Sequence, residues 1–226
     1  PDLLQGALEG AFDSKNPRIE KVQYMYPEYS VQKARALIWS WGEGAEAQLN
    51  RLWQEHSVLL RQLNGWLFSG GGERQRYVRV GERANDAGSL RDRHQAWDRI
   101  LRCWRQETPQ QLTNDGEPFG LELNLSDLNL PSLPDLDADF SHVGSLKLSN
   151  MNLRTSPEGF LARFRGVRWL DVSKNQLREL PPAVGQMHGL TRLSLQNNRI
   201  RLTADSAAIL SSRTTLKALV LNSNRL

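Results

Sequence analysis

Two periodicities divide this chain. Between residues 31 and 104 apolar side chains recur at steps of three and four, the spacing of one helix face. Ser30 is a candidate cap for a helix from Val31 to about Trp41, with Ala34, Leu37 and Ile38 on one side. A Gly42-Glu43-Gly44 break follows. A longer helix then carries Ala45, Leu49, Leu52, Trp53, His56, Leu59, Leu60, Leu63, Trp66 and Leu67, and Ser69-Gly70-Gly71-Gly72 ends it. A third helix is predicted from Ser89, with Asp92 completing a capping box, and Thr108-Pro109 stops it. Its apolar face reads Leu90, His94, Trp97, Ile100, Leu101 and Trp104. Residues 1–29 hold Pro17, Pro27 and few periodic apolar positions, and read as mostly loop.

From residue 120 the period changes to two, inside a longer repeat. Five segments start at Gly120, Val143, Val167, Leu190 and Leu216, spaced by 23, 24, 23 and 26 residues. Each follows L-x-x-L-x-L-x-x-N-x-L, the template of leucine-rich repeats. The fourth and sixth positions (Leu123/Leu125, Leu146/Leu148, Leu170/Val172, Leu193/Leu195, Leu219/Leu221) alternate with polar residues, which predicts short strands with one apolar face. Neighbouring copies should pair these strands in parallel. Asn175, Asn198 and Asn224 hold the ninth position, where a buried amide side chain can satisfy backbone groups of adjacent turns. Leu128 and Met151 replace it in the first two repeats, as expected of irregular end units.

The segments between strands differ. Leu180-Pro181-Pro182 supplies an extended return, Ser156-Pro157-Glu158 favours a short helix, and Thr203 is a candidate cap for a helix through Ala207, Ile209 and Leu210. Connections of this bulk are wider than strands, so the strands should line a concave face. The fold expected is α/β: a leucine-rich-repeat solenoid at 113–226 with a parallel sheet. A helical region at 30–112 precedes and caps it, the Trp97/Leu101/Trp104 edge sealing the open end.

Position three supplies Glu122, Ser145, Trp169, Arg192 and Ala218 to the concave face; position five supplies Asn124, Lys147, Asp171, Ser194 and Val220. Lys174 and Asn197 flank them. Trp and Arg predominate in binding hot spots. The candidate partner site is therefore Trp169 as anchor, with Glu122, Asn124, Lys147, Asp171, Lys174, Arg192 and Asn197 around it. The plainer alternative is that Trp169 stacks on Arg192 as local packing.

Composition narrows the chemistry. Of 226 residues 39% are hydrophobic and 24% charged, an ordinary globular balance. The formal charge of +4 is spread evenly, 16 − 14 = +2 over residues 1–112 and 13 − 11 = +2 over the rest, so bulk charge does not imply nucleic acid. The one basic cluster, Arg74, Arg76, Arg79, Arg83, Arg91, Arg93, Arg99, Arg102 and Arg105, is interleaved with Glu73, Glu82, Asp86, Asp92 and Asp98. It reads as a solvated face with internal ion pairs; docking of an anion or nucleic acid is the alternative. A single cysteine, Cys103, excludes an internal disulfide framework and any multi-cysteine metal site. Arg102 and Arg105 beside it would lower a thiol pKa, yet a lone cysteine is more often a small buried hydrophobe. His56, His94, His142 and His188 are scattered without metal-ligand spacing, and Gly70-Gly71-Gly72 lacks the Gly-Lys-Ser/Thr ending of a phosphate loop. No catalytic residue, metal or cofactor is assigned. No apolar run approaches a membrane-spanning length. The chain starts at Pro1 without Met and stops inside its fifth repeat, so it is expected to be a piece of a longer protein.

The order of Ser30-VQKARALI, a long helix, AWDRILRCWRQETP, LNLSDLNLPSLP, DFSHVGSLKLSNMNL and VRWLDVSKNQLRELP resembles large Pseudomonas-type proteins. Those carry a dermonecrotic-toxin-like N-terminal region, leucine-rich repeats and a NEL-type ubiquitin-ligase domain. The resemblance spans roughly residues 30–226. It implies that the repeats choose a host protein substrate, that the parent is secreted into host cells, and that a Cys-x-Asp motif beyond the repeats does the chemistry. Cys103 is followed by Trp104-Arg105 and precedes the repeats, so that catalytic motif is not in this chain. A non-enzymatic scaffold or adhesion protein is the alternative parent.

Overall fold

The structure, a computed structural model, describes residues 16–69 and 90–226. The expected Ser89 cap, the Gly70–Gly72 turn and Arg74, Arg76, Arg79 and Arg83 lie outside the described residues. Contacts divide the chain into two compact units, one ending at Leu60 and the other beginning at Arg61.

In the first unit, residues 17–25 form a helix where the sequence reads as loop. Helix α1 (Pro17–Met25) is capped by Asn16, whose side chain accepts from Arg18 N–H, and Pro17 occupies its first turn, where a missing N–H costs nothing. Its Ile19, Val22 and Met25 are fully buried. Three buried side chains at this spacing hold a helix too short to persist alone. Helix α2 (Val31–Ser40) is capped by Ser30, which accepts from Lys33 N–H at 3.2 Å, and buries Ala34 and Ile38. Gly42, at φ 56°, allows the reversal into a 3₁₀ turn over Gly42–Gly44. Helix α3 (Ala45–Phe68) begins in this unit and buries Leu49, His56 and Leu59.

In the second unit, helix α4 (Leu90–Trp104) buries Arg93, Ala96, Ile100, Leu101, Cys103 and Trp104. Leu90 and His94, expected on that face, are exposed. Arg93 displaces them because its guanidinium donates to the Trp66 carbonyl at 2.7 Å, at the carbonyl-rich end of α3. Trp97 is half-buried and donates its indole N–H to Asn64 Oδ1 at 3.0 Å, so of the expected edge only Leu101 and Trp104 are buried. Helix α4 packs against the first repeat and is tied to it by two bonds. Arg99 donates to the Asn124 carbonyl at 3.0 Å, and Asp92 accepts from Asn129 N–H at 3.1 Å.

The sheet has six strands in sequence order: β1 (Gln110–Leu112), β2 (Pro118–Asn124), β3 (Val143–Lys147), β4 (Trp169–Asp171), β5 (Arg192–Ser194) and β6 (Ala218–Val220). The last five run parallel, one per repeat, with Ser145, Trp169, Arg192 and Ala218 in register. Strand β1 is an antiparallel addition that the repeat template does not foretell. Return segments include α5 (Glu158–Leu161), a 3₁₀ turn at Pro182–Gln186 and α6 (Ala204–Ser211). Thr203 caps α6 in a reciprocal box with Ser206, whereas α5 starts one residue later than Ser156-Pro157 suggests, Pro157 standing at its cap. This unit is mixed α/β, a parallel sheet with helical returns.

Two side-chain ladders hold the repeats in register. The inward leucines of the first four repeats are fully buried, while Leu219 on the outermost strand is 39% exposed. Beside them Asn175 Oδ1 accepts from Met151 N–H (3.1 Å) and Leu153 N–H (3.0 Å), and its amide donates to the Leu148 and Val172 carbonyls. Asn198 and Asn224 repeat the pattern one and two turns on.

Candidate binding surface

The eighth residue of every repeat turns the chain out of the strand. Asp127, Asn150, Lys174, Asn197 and Ser223 all have φ between 54° and 65°. Asp, Asn and Ser tolerate this left-handed geometry through local hydrogen bonds; Lys174 adopts it at some steric cost. The N–H groups of the first four donate to the next repeat, Lys174 to the Gln196 carbonyl and Asn197 to the Asn222 carbonyl. Lys174 and Asn197 are thus turn residues first, with exposed side chains.

On the sheet face, Trp169 sits half-buried between two cations. Lys147 Nζ is 5.1 Å and Arg192 Cζ 5.7 Å from its ring centroid. Both are within cation–π range of an indole. Lys147 also pairs with Glu122 at 2.7 Å, so its charge is locally neutralised. Asp171 uses Oδ1 to accept from Ser173 N–H, and Asn124 Oδ1 does the same from Ser126 N–H, each bracing the turn after its strand. Ser145, expected to be open, is fully buried in register with Trp169. Trp169 is thus both packed against these cations and only half-buried.

A second set of residues, at position two, was not anticipated from the repeats. Arg168, Thr191 and Lys217 stand at the strand entrances, where alternation does not assign a face. They share a groove of about 480 Å³ with Trp169, Arg192, Phe119 and the Gln111–Asp115 segment of the β1–β2 hairpin. The hairpin turn is closed by Thr113 N–H to the Glu117 carbonyl (2.8 Å) and Gly116 N–H to the Thr113 carbonyl (3.0 Å), with Gly116 at φ 82°. Asn114-Asp115-Gly116 between Leu112 and Phe119 is the signal that marks such a turn. Gly120 (φ 123°) and Gly144 let the hairpin lie against the second repeat. A Cβ on Gly120 would come within 2.5 Å of Gly144 N, and one on Gly144 would overlap the Phe119 carbonyl.

The other candidates resolve as structure. Cys103 is fully buried, and burial pushes its thiol up to about 12 despite a hydrogen bond with Thr108. The flanking arginines do not offset that, so the thiolate is suppressed. His142 Nε2 lies 2.9 Å from the Cys103 carbonyl oxygen, which makes that nitrogen the donor. His56 is buried edge-on to Tyr24 (5.8 Å), and His188 Nδ1 faces Arg213 at 3.1 Å. Of the basic cluster's described members, Arg93 is buried, Arg99 binds a carbonyl and Arg102 pairs with Glu107 at 3.9 Å. Arg91 is exposed. Among the described residues no group of His, Cys, Asp and Glu is arranged to hold a metal ion, and no helix is long and apolar enough to cross a membrane.

No family model matches the chain. Over 81 residues it is 40% identical to human vasorin, a match taking in 36% of this chain and 12% of that protein. Over 73 residues it is 34% identical to plant intracellular Ras-group-related LRR protein 8 of Arabidopsis thaliana, 32% of this chain and 19% of that protein. The chain therefore spans less than a fifth of the length of these relatives. Among solved structures, an internalin from Listeria monocytogenes is similar at a TM-score of 0.28 and 20% identity, covering 37% of this chain and 30% of that one. That likeness is too slight to argue from; the architecture rests on the strand register itself. Template, register and relatives together point to the leucine-rich-repeat class. The ubiquitin-ligase resemblance gains nothing from these matches.

Proposed function

We propose that this chain is a protein-interaction module that presents the strand face of a leucine-rich-repeat solenoid, its concave side, to a protein partner. The observation that carries this reading is Trp169: a large aromatic side chain left half-open on the sheet, with cations on two sides. Partially exposed indoles with adjoining arginine are the side chains on which interfaces concentrate their energy. Glu122, Asn124, Lys147, Asp171 and Arg192 give the surroundings a defined charge pattern, and Lys174 and Asn197 border it.

The test is affinity capture with wild type, Trp169→Ala and an Arg154→Ala control on an exposed side chain away from the sheet face. Loss of one or more specific proteins in Trp169→Ala alone supports the reading. Identical sets from all three overturn it.

On the resemblance alone, we read the partner as a host protein handed to a ubiquitin-transferring domain, with the parent a secreted bacterial effector. Coding sequence downstream of Leu226 decides that point: a Cys-x-Asp motif in a helical domain supports it, and a parent without one is a scaffold.

A further inference from the structure

We propose that the groove between the β1–β2 hairpin and the entrances of β4, β5 and β6 binds an acidic, extended polypeptide segment carrying an apolar side chain. This deepens the protein-interaction reading and rests on it.

The walls differ in chemistry. Arg168, Arg192 and Lys217 are exposed on the sheet side, and Asp115 is the one carboxylate lining the groove. Among the described residues no carboxylate lies within 4 Å of those three cations; Lys147, just outside, has Glu122. The local balance is three positive charges to one negative; Arg192 rests on the Trp169 ring, and no ion pair among the described residues offsets the three. A concave wall of one sign raises the local concentration of opposite charge and speeds its encounter.

The groove is also apolar enough to need a side chain. Trp169 and Phe119 are half-buried in it, and Leu112 on the hairpin is 59% exposed. An open leucine on a short edge strand, lining the same groove as an indole, is an unfilled contact rather than a core residue. Arg168 and Lys217 are two strands apart, roughly 10 Å at sheet spacing. About three residues of extended chain cover that distance. A volume of about 480 Å³ accommodates such a stretch and is too small for a folded surface.

Nucleic acid fits less well. Three cations neutralise few phosphates, Asp115 opposes them, and one half-buried indole offers no run of stacking platforms.

The experiment uses the whole chain and a fluorescein-labelled short Glu/Asp peptide with one central Leu. A Lys/Arg peptide of equal length and a short single-stranded DNA serve as comparisons, all followed by anisotropy. The expected result is saturable binding of the acidic peptide alone. Arg168→Glu and Lys217→Glu should each raise its Kd about tenfold or more, and Arg154→Glu should leave it unchanged. These side chains are exposed, so the variants fold. Equal binding of the basic peptide, stronger binding of the DNA, or unchanged Kd in both groove variants overturns the proposal. If the groove variants bind the acidic peptide like wild type while Trp169→Ala still loses its captured partners, the groove is wrong and the interaction module stands.

Discussion

Arg192 lies directly in register with Trp169 on the neighbouring parallel strand, its guanidinium carbon 5.7 Å from the indole centroid. Lys147, two residues along the strand on the other side, lies 5.1 Å from the same centroid. Each contact contributes about 0.5–1 kcal/mol at an exposed site. Trp169→Ala should thus cost the fold only about 1–2 kcal/mol, while the proposed partner is lost from the capture. Urea denaturation beside the capture assay separates the two; a variant that unfolds outright would make Trp169 a core residue.

The asparagine ladder predicts an order of losses. Asn175→Ala leaves the Met151 and Leu153 amides and the Leu148 carbonyl without their side-chain partner in a buried setting, while the Val172 carbonyl keeps Asn198. An unsatisfied buried group costs about 1–3 kcal/mol, so a loss near 3 kcal/mol is expected. Asn224→Ala, on the outermost repeat and more exposed, should lose less than half as much. Equal losses at the two sites would show that the ladder does not act through burial.

Gly144 has no room for a methyl group, whereas Gly185 has open space around its missing Cβ. Gly144→Ala should destabilise by about 2 kcal/mol or more, since backbone must move. Gly185→Ala should be neutral or slightly stabilising. Thermal melts compare them. In Gly144→Ala the hairpin is displaced from the second repeat, so affinity of the groove should fall as well.

The buried Cys103 thiol makes stability depend on alkaline pH. Its folded pKa is raised to about 12 from an ordinary 9.0. The unfolded chain ionises first, so the neutral thiol's contribution is intact below pH 9 and is lost as pH rises from 9 toward 12. Cys103→Ala should flatten that part of the pH–stability curve. A thiol reagent at pH 8 should likewise modify the folded chain only after denaturant is added.

Much of this was legible in one dimension because it is periodic. Five repeats of L-x-x-L-x-L-x-x-N-x-L mark the parallel strands, the buried leucines and the asparagine ladder, since a side chain's face follows from parity along a strand. Ser30, Thr203 and the Gly42–Gly44 break are likewise local, each acting within four residues.

What parity does not reach is set by neighbours in space. Residues 17–25 are helical because Ile19, Val22 and Met25 find a core to enter. Arg93 takes the place expected for Leu90 and His94 because the end of α3 offers carbonyls to a buried guanidinium. Ser145 is buried although its column faces outward, and Arg168 and Lys217 join a groove because a hairpin tens of residues earlier comes to rest near them. The sequence by itself determined which residues form repeats and which side chains point inward, for those depend on spacing along one chain. Only the tertiary structure decided which outward residues share a surface, because that depends on contacts between segments that no local pattern encodes.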